Sequence, residues 1–259
     1  MAKSTYVKGY LSKFQSPVAE SDGAEIASWQ RVEVDYQYPL DDLTGTKNGT
    51  ADTERVYLEN YQTIDVTSHG FLHEPDTSAY PVASAATLAI ASVNLHPYDW
   101  ILRKKWNLVD VTGSGDTEKT WLEDMPSVDL VARCWVLGSG PDWASQDLGI
   151  TLSNSLLGTV SGTCKVQSRP LNMSAVRGWI AMTLFMRFTG AVSYSAGALD
   201  MNSVFLAGSQ SPPRGTFTLT VTSGDNLTGT CMAHDVTVRA TKRSGGAMPI
   251  TIKHRVDET

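Results

Sequence analysis

Apolar and polar residues alternate along much of this chain with a period of two. In residues 31–38 (RVEVDYQY), Val32, Val34, Tyr36 and Tyr38 fall on one side and Arg31, Glu33, Asp35 and Gln37 on the other, which predicts a strand buried on one face. Residues 55–66 (RVYLENYQTIDV) carry a similar pattern, with Val56, Leu58, Ile64 and Val66 opposed to Tyr57, Glu59, Tyr61 and Asp65. The intervening PLDDLTGTKNGTAD, rich in Gly, Thr and Asp, predicts a long connection with a tight turn at Asn48-Gly49. Residues 128–137 (VDLVARCWVL) are apolar at both parities except at Asp129 and Arg133, which predicts a central strand covered on both sides. Further strands are predicted at 148–153, 179–188, 216–222, 235–241 and 249–256. The last two read as a hairpin with Val236, Val238, Ala240, Ile250, Ile252 and Val256 on a common face.

One segment breaks the pattern. Val82 to Leu95 (VASAATLAIASVNL) is dense in alanine and free of glycine, so it predicts a short helix closed by His96-Pro97. Trp100 to Asp110 returns to a strand-like pattern.

A repeat also stands out. Leu148 to Cys164 (LGITLSNSLLGTVSGTC) and Gly215 to Cys231 (GTFTLTVTSGDNLTGTC) share a Thr-Leu pair and a Gly-Thr-Cys ending, and each precedes a further strand, at Trp179 to Phe188 and Ala247 to Val256. A duplicated unit would place Leu152 and Leu219 at corresponding positions, each turned into a core. The fold class expected is mainly β, an antiparallel sandwich or barrel with one short helix and a duplicated half. Residues 1–259 are read as one large structural unit, with a subdivision into 1–127 and 128–259 as the alternative.

Charge narrows the partners. Twenty-seven acidic against 21 basic residues give a formal −6, which argues against a protein that coats nucleic acid. Charged residues make up 19% of the chain, below the usual quarter or so, leaving more surface to meet neighbouring subunits. The N-terminal MAKSTYVKGYLSKF lacks the apolar core of a secretory signal, and no apolar run reaches the length of a membrane helix, so a soluble protein with no membrane partner is expected. Cys134, Cys164 and Cys231 are odd in number and widely spaced, which favours buried thiols over a disulfide framework; a link between Cys164 and Cys231, or across subunits, is the alternative.

Chemistry-bearing motifs are incomplete. Asp110 to Glu118 (DVTGSGDTE) spaces oxygen ligands like a calcium loop, but its twelfth position is Trp121 where a bidentate carboxylate is needed. His69 and His73 are four apart, the spacing of a helical zinc pair, yet Gly70 and Pro75 oppose a helix and no glutamate lies between them. Cys231 and His234 lack a third partner, Gly138-Ser139-Gly140-Pro141 is not a nucleophile elbow, and the Asn-x-Ser/Thr triplets at Asn48, Asn172 and Asn226 mean little without a secretory signal. Seven tryptophans and nine tyrosines are scattered without interleaved basic residues, so packing and interfaces are their expected use. No catalytic, cofactor-binding or metal-ligating residue is assigned, and no enzyme is expected.

The layout resembles that of bacteriophage tail-tube proteins and the related Hcp tube proteins of type VI secretion. The resemblance rests on the strand after Trp29 (Trp29 to Tyr38), the long polar loop, the next strand, the helix at Val82 to Leu95 and the strand-loop-strand finish. It is nearest at Leu148 to Phe188. It implies a virion structural protein assembled in the host cytoplasm, a tail-tube subunit forming homo-oligomeric, hexameric rings by self-assembly. These would stack into a tube, contact other virion proteins and pass DNA through the lumen without sequence-specific binding; a net negative charge suits such a bore. The alternatives are a jelly-roll capsid or decoration protein and a carbohydrate- or receptor-binding β-module. The loops near 39–54 and 68–81 are the expected reach to a neighbour.

Overall fold

The computed structural model describes residues 27–38, 63–72, 86–113, 121–136, 147–154, 158–174, 179–195, 214–220, 227–241 and 248–257, with short pieces between them. The order opens with β1 (Lys13–Gln15), β2 (Glu20–Ser21), β3 (Ala24–Glu25), β4 (Ala27–Gln37), β5 (Leu40–Asp42), β6 (Thr46–Lys47) and β7 (Thr50–Ala51). It continues with β8 (Tyr57–Glu59), β9 (Thr63–Leu72), β10 (Thr87–Ile90), β11 (Val93–Lys105), β12 (Leu108–Asp110), β13 (Trp121–Glu123) and β14 (Ser127–Trp135). The remaining strands are β15 (Leu148–Asn154), β16 (Gly158–Ser168), β17 (Leu171–Ser174), β18 (Trp179–Phe188), β19 (Ser193–Ser195), β20 (Arg214–Thr220), β21 (Leu227–Thr241) and β22 (Pro249–Asp257).

One antiparallel sheet organises the molecule. Its order is β10-β15-β16-β18-β14-β11-β21-β22-β9-β4, and β10 also pairs with β11, so the first six strands close into a barrel. β11 belongs to both parts: Leu95 pairs with Leu88 of β10, while residues from Asp99 to Lys105 have β14 on one side and β21 on the other. Alternation then sorts the side chains. Leu88, Ile90, Trp100, Leu130, Ile150, Leu152, Leu184 and Met186 are buried in one large core, and Val236, Val238, Ile250, Ile252, Leu72 and Phe205 extend it under the open sheet. A second cluster joins Ile64, Val66, Cys231 and Val256, with Val32, Val34, Leu219 and Leu227 packed on it.

The helix expected at 82–95 is not formed over its described part. Residues 87–90 are β10 and β11 begins at Val93, while 82–85 lie outside the described residues. Ile90 pairs with Val93, and Ala91 and Ser92 between them have φ of 47° and 68°, the left-handed pair that a tight two-residue hairpin turn requires. Helix propensity lost to burial: Leu88 and Ile90 both enter the barrel, and the Ala91 amide donates to the Gly149 carbonyl at 2.8 Å, fixing the turn beside β15.

Three further expectations change. Residues 128–137 are not covered on both sides, because Arg133 and Trp135 of β14 are exposed on the outward face and Val131 is half-buried there. The strand expected over 55–66 is two elements, β8 pairing with β5 and β9 pairing with β4, and β9 runs on to Leu72, so residues 68–72 are sheet and not loop. Tyr36 and Tyr38, expected inside, are exposed. Lys47 pairs with Thr50, and the turn expected at Asn48-Gly49 lies outside the described residues.

The repeat has a geometric counterpart. β15–β16 pairs Leu148 with Cys164 and Leu152 with Val160; β20–β21 pairs Gly215 with Cys231 and Leu219 with Leu227. Each cysteine then faces a third strand, Cys164 against Phe188 and Cys231 against Val256. Order, direction and register are those of a duplicated three-strand unit. Leu152 is buried in the barrel and Leu219 packs, half-buried, on the second cluster. Glycine in the shared Gly-Thr-Cys has a reason at Gly162, where a Cβ would come within 3.0 Å of the Phe188 ring.

Candidate functional site

The outward face of the sheet carries the densest arrangement of interacting charges. Register lines the side chains into rows across strands. One row runs Lys165, Arg187, Asp129, Arg103 over β16, β18, β14 and β11. Beside it Phe185, Val131 and Ile101 form an apolar row that meets Arg239 on β21. The next holds Thr183, Arg133 and Asp99.

Carboxylates tie these strands together. Arg187 forks onto Asp129 at 2.7 and 3.1 Å, and Arg103 forks onto Asp235, with Nε donating to Oδ1 at 2.9 Å. Asp99 accepts both prongs of Arg239, at 3.1 and 3.0 Å, and Nη1 of Arg133 at 3.0 Å. Arg255 forks onto Asp65 of β9 at 2.9 and 3.0 Å, and its guanidinium lies 4.1 Å from the centre of the Trp121 ring. These hydrogen bonds raise the pKa values of Arg103, Arg187 and Arg239, so their charges are permanent.

A groove of about 520 Å³ opens over this face, with Ile101, Val131 and Phe185 on its floor and Arg103, Asp129 and Lys253 among its walls. An apolar floor inside a charged rim has the anatomy of a protein-docking surface. The ion pairs hold these guanidinium and carboxylate groups in fixed positions across the strands.

The sequence-level candidates are dispersed. Cys134, Cys164 and Cys231 are buried and form no disulfide, and burial pushes the first two thiols up to about 12 and 11, which leaves them unreactive. His69 lies in β9, its Nδ1 3.1 Å from the Thr251 hydroxyl and its Nε2 3.8 Å from Glu33; His73 lies outside the described residues. Asp110 accepts the amide of Thr112 at 3.0 Å, a local turn at the start of the calcium-like segment, whose residues 114–118 are not described. Gly138 to Gly140 are likewise outside the described residues. Among the described residues no group of three or more His, Cys, Asp or Glu is placed to hold a metal ion.

Three further titratable groups lie elsewhere, of which the sequence offers His234 only as a companion of Cys231. His234 sits at the bulge of β21 and His254 on β22 opposite Ala233; burial lowers them to about 4 and about 3, and each is neutral at pH 7. Lys104 points into the core, donates to the Phe205 carbonyl at 3.0 Å and lies 4.7 Å over the Trp106 ring, and burial lowers it to about 8. Only their inward parity on apolar strands marks these residues in the sequence.

Comparison with known proteins gives little. No protein-family description matches the chain, and no curated protein resembles it in sequence. Among solved structures, a chain of the virion of a native gene transfer agent particle is 15% identical, covering 46% of this chain and 88% of its own length at a TM-score of 0.31. A chain from the tail of an empty gene transfer agent particle, refined helically with C6 symmetry, is also 15% identical at a TM-score of 0.31, covering 46% of this chain and 85% of its own.

Proposed function

We propose that this chain is a structural subunit of a phage-type virion, a tail-tube protomer that assembles with copies of itself into stacked rings and has no catalytic role. The observation that carries the assembly reading is the open end of the sheet. β4 is an 11-residue strand with β9 on one side and no strand on the other among the described residues, and Tyr36, Tyr38 and Leu40 stand exposed along it and just beyond. A long unpaired edge next to exposed aromatic side chains invites another chain, and monomeric proteins ordinarily blunt such edges. The closed barrel gives that edge a rigid base, as a building block requires.

The specific form, a ring in a tube that conducts DNA and meets other virion proteins, follows the tail-tube resemblance of the sequence. Sedimentation velocity and negative-stain microscopy of the purified full chain test it. Rings or stacked tubes are expected. Closed shells would point to the capsid alternative, and a monodisperse monomer at the highest attainable concentration would overturn assembly altogether.

A further inference from the structure

The charge of this chain is unevenly spread. The outward face of β16, β18, β14, β11, β21 and β22 carries eight cations: Lys165, Arg187, Arg133, Arg103, Lys105, Arg239, Lys253 and Arg255. Against them stand five carboxylate residues, Asp129, Asp99, Asp235, Asp257 at the end of β22 and, from β9, Asp65. This face is therefore formally +3. With 21 basic and 27 acidic residues in all, the rest of the chain keeps 13 and 22, a formal −9. Lys253 lines the groove and Lys165 stands exposed on the same face, on β16 opposite Arg187; neither takes a carboxylate among the described residues.

A complementary element lies at the far edge of the same sheet. Residues 35–42 (DYQYPLDD) carry three carboxylates, Asp35, Asp41 and Asp42, and no cation, interleaved with the exposed Tyr36, Tyr38 and Leu40. Three strand steps, roughly 14 Å at about 4.8 Å each, separate β4 from β21 at the groove, so the corner and the groove are distinct surfaces of one sheet.

We propose that the acidic, aromatic corner at residues 35–42 of one copy docks into the basic groove of the next. Tyr36, Tyr38 or Leu40 covers the Ile101, Val131 and Phe185 floor, and the carboxylates face Lys165 and Lys253. The two surfaces differ, so the contact is head-to-tail and generates rings when the rotation closes. This inference rests on the assembly proposed above and names the surface that performs it.

A charge swap tests the contact. Lys165→Glu with Lys253→Glu alters the groove, and Asp35→Lys with Asp41→Lys alters the corner; circular dichroism and thermal melting of each purified variant establish that it folds. Either variant alone should raise the concentration for half-assembly, read by sedimentation, by about tenfold or more. An equimolar mixture of the two should co-assemble in alternation, because the unaltered corner of one meets the unaltered groove of the other and the two reversed surfaces are again complementary, and the fourfold variant should likewise recover much of the lost assembly. If wild type assembles and both variants assemble equally well, this contact is wrong while the assembly reading stands. If wild type remains monomeric, both fall. If the groove variant assembles normally but loses binding to a short DNA duplex that wild type retains, the face serves a polyanion and the docking proposal is overturned.

Discussion

Asp99 on β11 accepts both nitrogens of Arg239 from β21, at 3.1 and 3.0 Å, and so fastens the barrel to the open sheet through one carboxylate. Arg133 of β14 reaches the same oxygen Oδ2 from the other side at 3.0 Å. The carboxylate is nearly buried while the two guanidinium groups are about half-exposed. Asp99→Asn should therefore cost about 1–2 kcal/mol, a charged hydrogen-bond loss discounted for solvent screening. Urea denaturation measures it, and Arg239→Ala added to the Asp99→Asn variant should cost much less than the same change in wild type.

Acid should loosen the region around β21 and β22. His234 and His254 are lowered to about 4 and about 3 mainly by burial; the neighbouring Arg255 and Lys253 lower His234 further, while Asp65 and Asp235 oppose this. The folded state resists protonation that the unfolded chain accepts near 6.5, so stability is full above that value and falls as pH drops toward 4 and then 3. Each histidine should remove about 1.4 kcal/mol per pH unit within its window. Urea midpoints at pH 7, 6, 5 and 4.5 would show this, and His254→Gln should flatten the slope whatever it does to absolute stability.

The hairpin turn at Ala91 and Ser92 stores strain, because both residues adopt positive φ with a Cβ present. Ala91→Asn combined with Ser92→Gly supplies the pair that such turns prefer and should raise stability by about 1 kcal/mol. A melting temperature that falls would contradict the turn geometry.

Two glycines should behave oppositely. A Cβ on Gly70 would lie 2.5 Å from the Ser28 carbonyl oxygen, beside the β4 irregularity between Trp29 and Arg31, whereas one on Gly149 meets nothing within 4 Å. Gly70→Ala should cost about 1–3 kcal/mol through overpacking. Gly149→Ala should be neutral or gain about 0.5 kcal/mol by reducing the freedom of the unfolded chain.

The paired leucines of the repeat should differ in degree. Leu152→Ala empties a buried barrel site and should cost about 2–5 kcal/mol. Leu219 is only half-buried, so Leu219→Ala should cost roughly half as much. Equal losses would show that the two hairpins bury their leucines equally.

Strand identity was legible in the sequence wherever one face is wet. Val236, Val238, Ile250 and Ile252 alternate with polar neighbours, and all four are buried as expected. The alternation fails where burial overrides propensity: Leu88-Ala89-Ile90 reads as helix because alanine fills the outward-facing site of a barrel strand. The groove was not legible at all. Its partners are far apart in sequence, 132 residues for Arg103 and Asp235 and 140 for Arg239 and Asp99, and only register brings them together. Asp129 and Arg133 within an otherwise apolar strand were the one local sign that β14 shows a face to water.

The pairing of β9 with β22 sets a schedule for biosynthesis. Ile64 lies against Val256 and Gly70 against Ile250, so the N-terminal strands β4 and β9 have no place on the large sheet until a segment some 184 residues later has been made. At a translation rate of about 5–20 residues per second that delay is roughly 10–40 s. During it the acidic corner at residues 35–42 has no fixed place relative to the groove. On the docking proposed above, a prematurely terminated chain would lack a properly presented corner, and the order of synthesis would guard against incorporation of incomplete subunits.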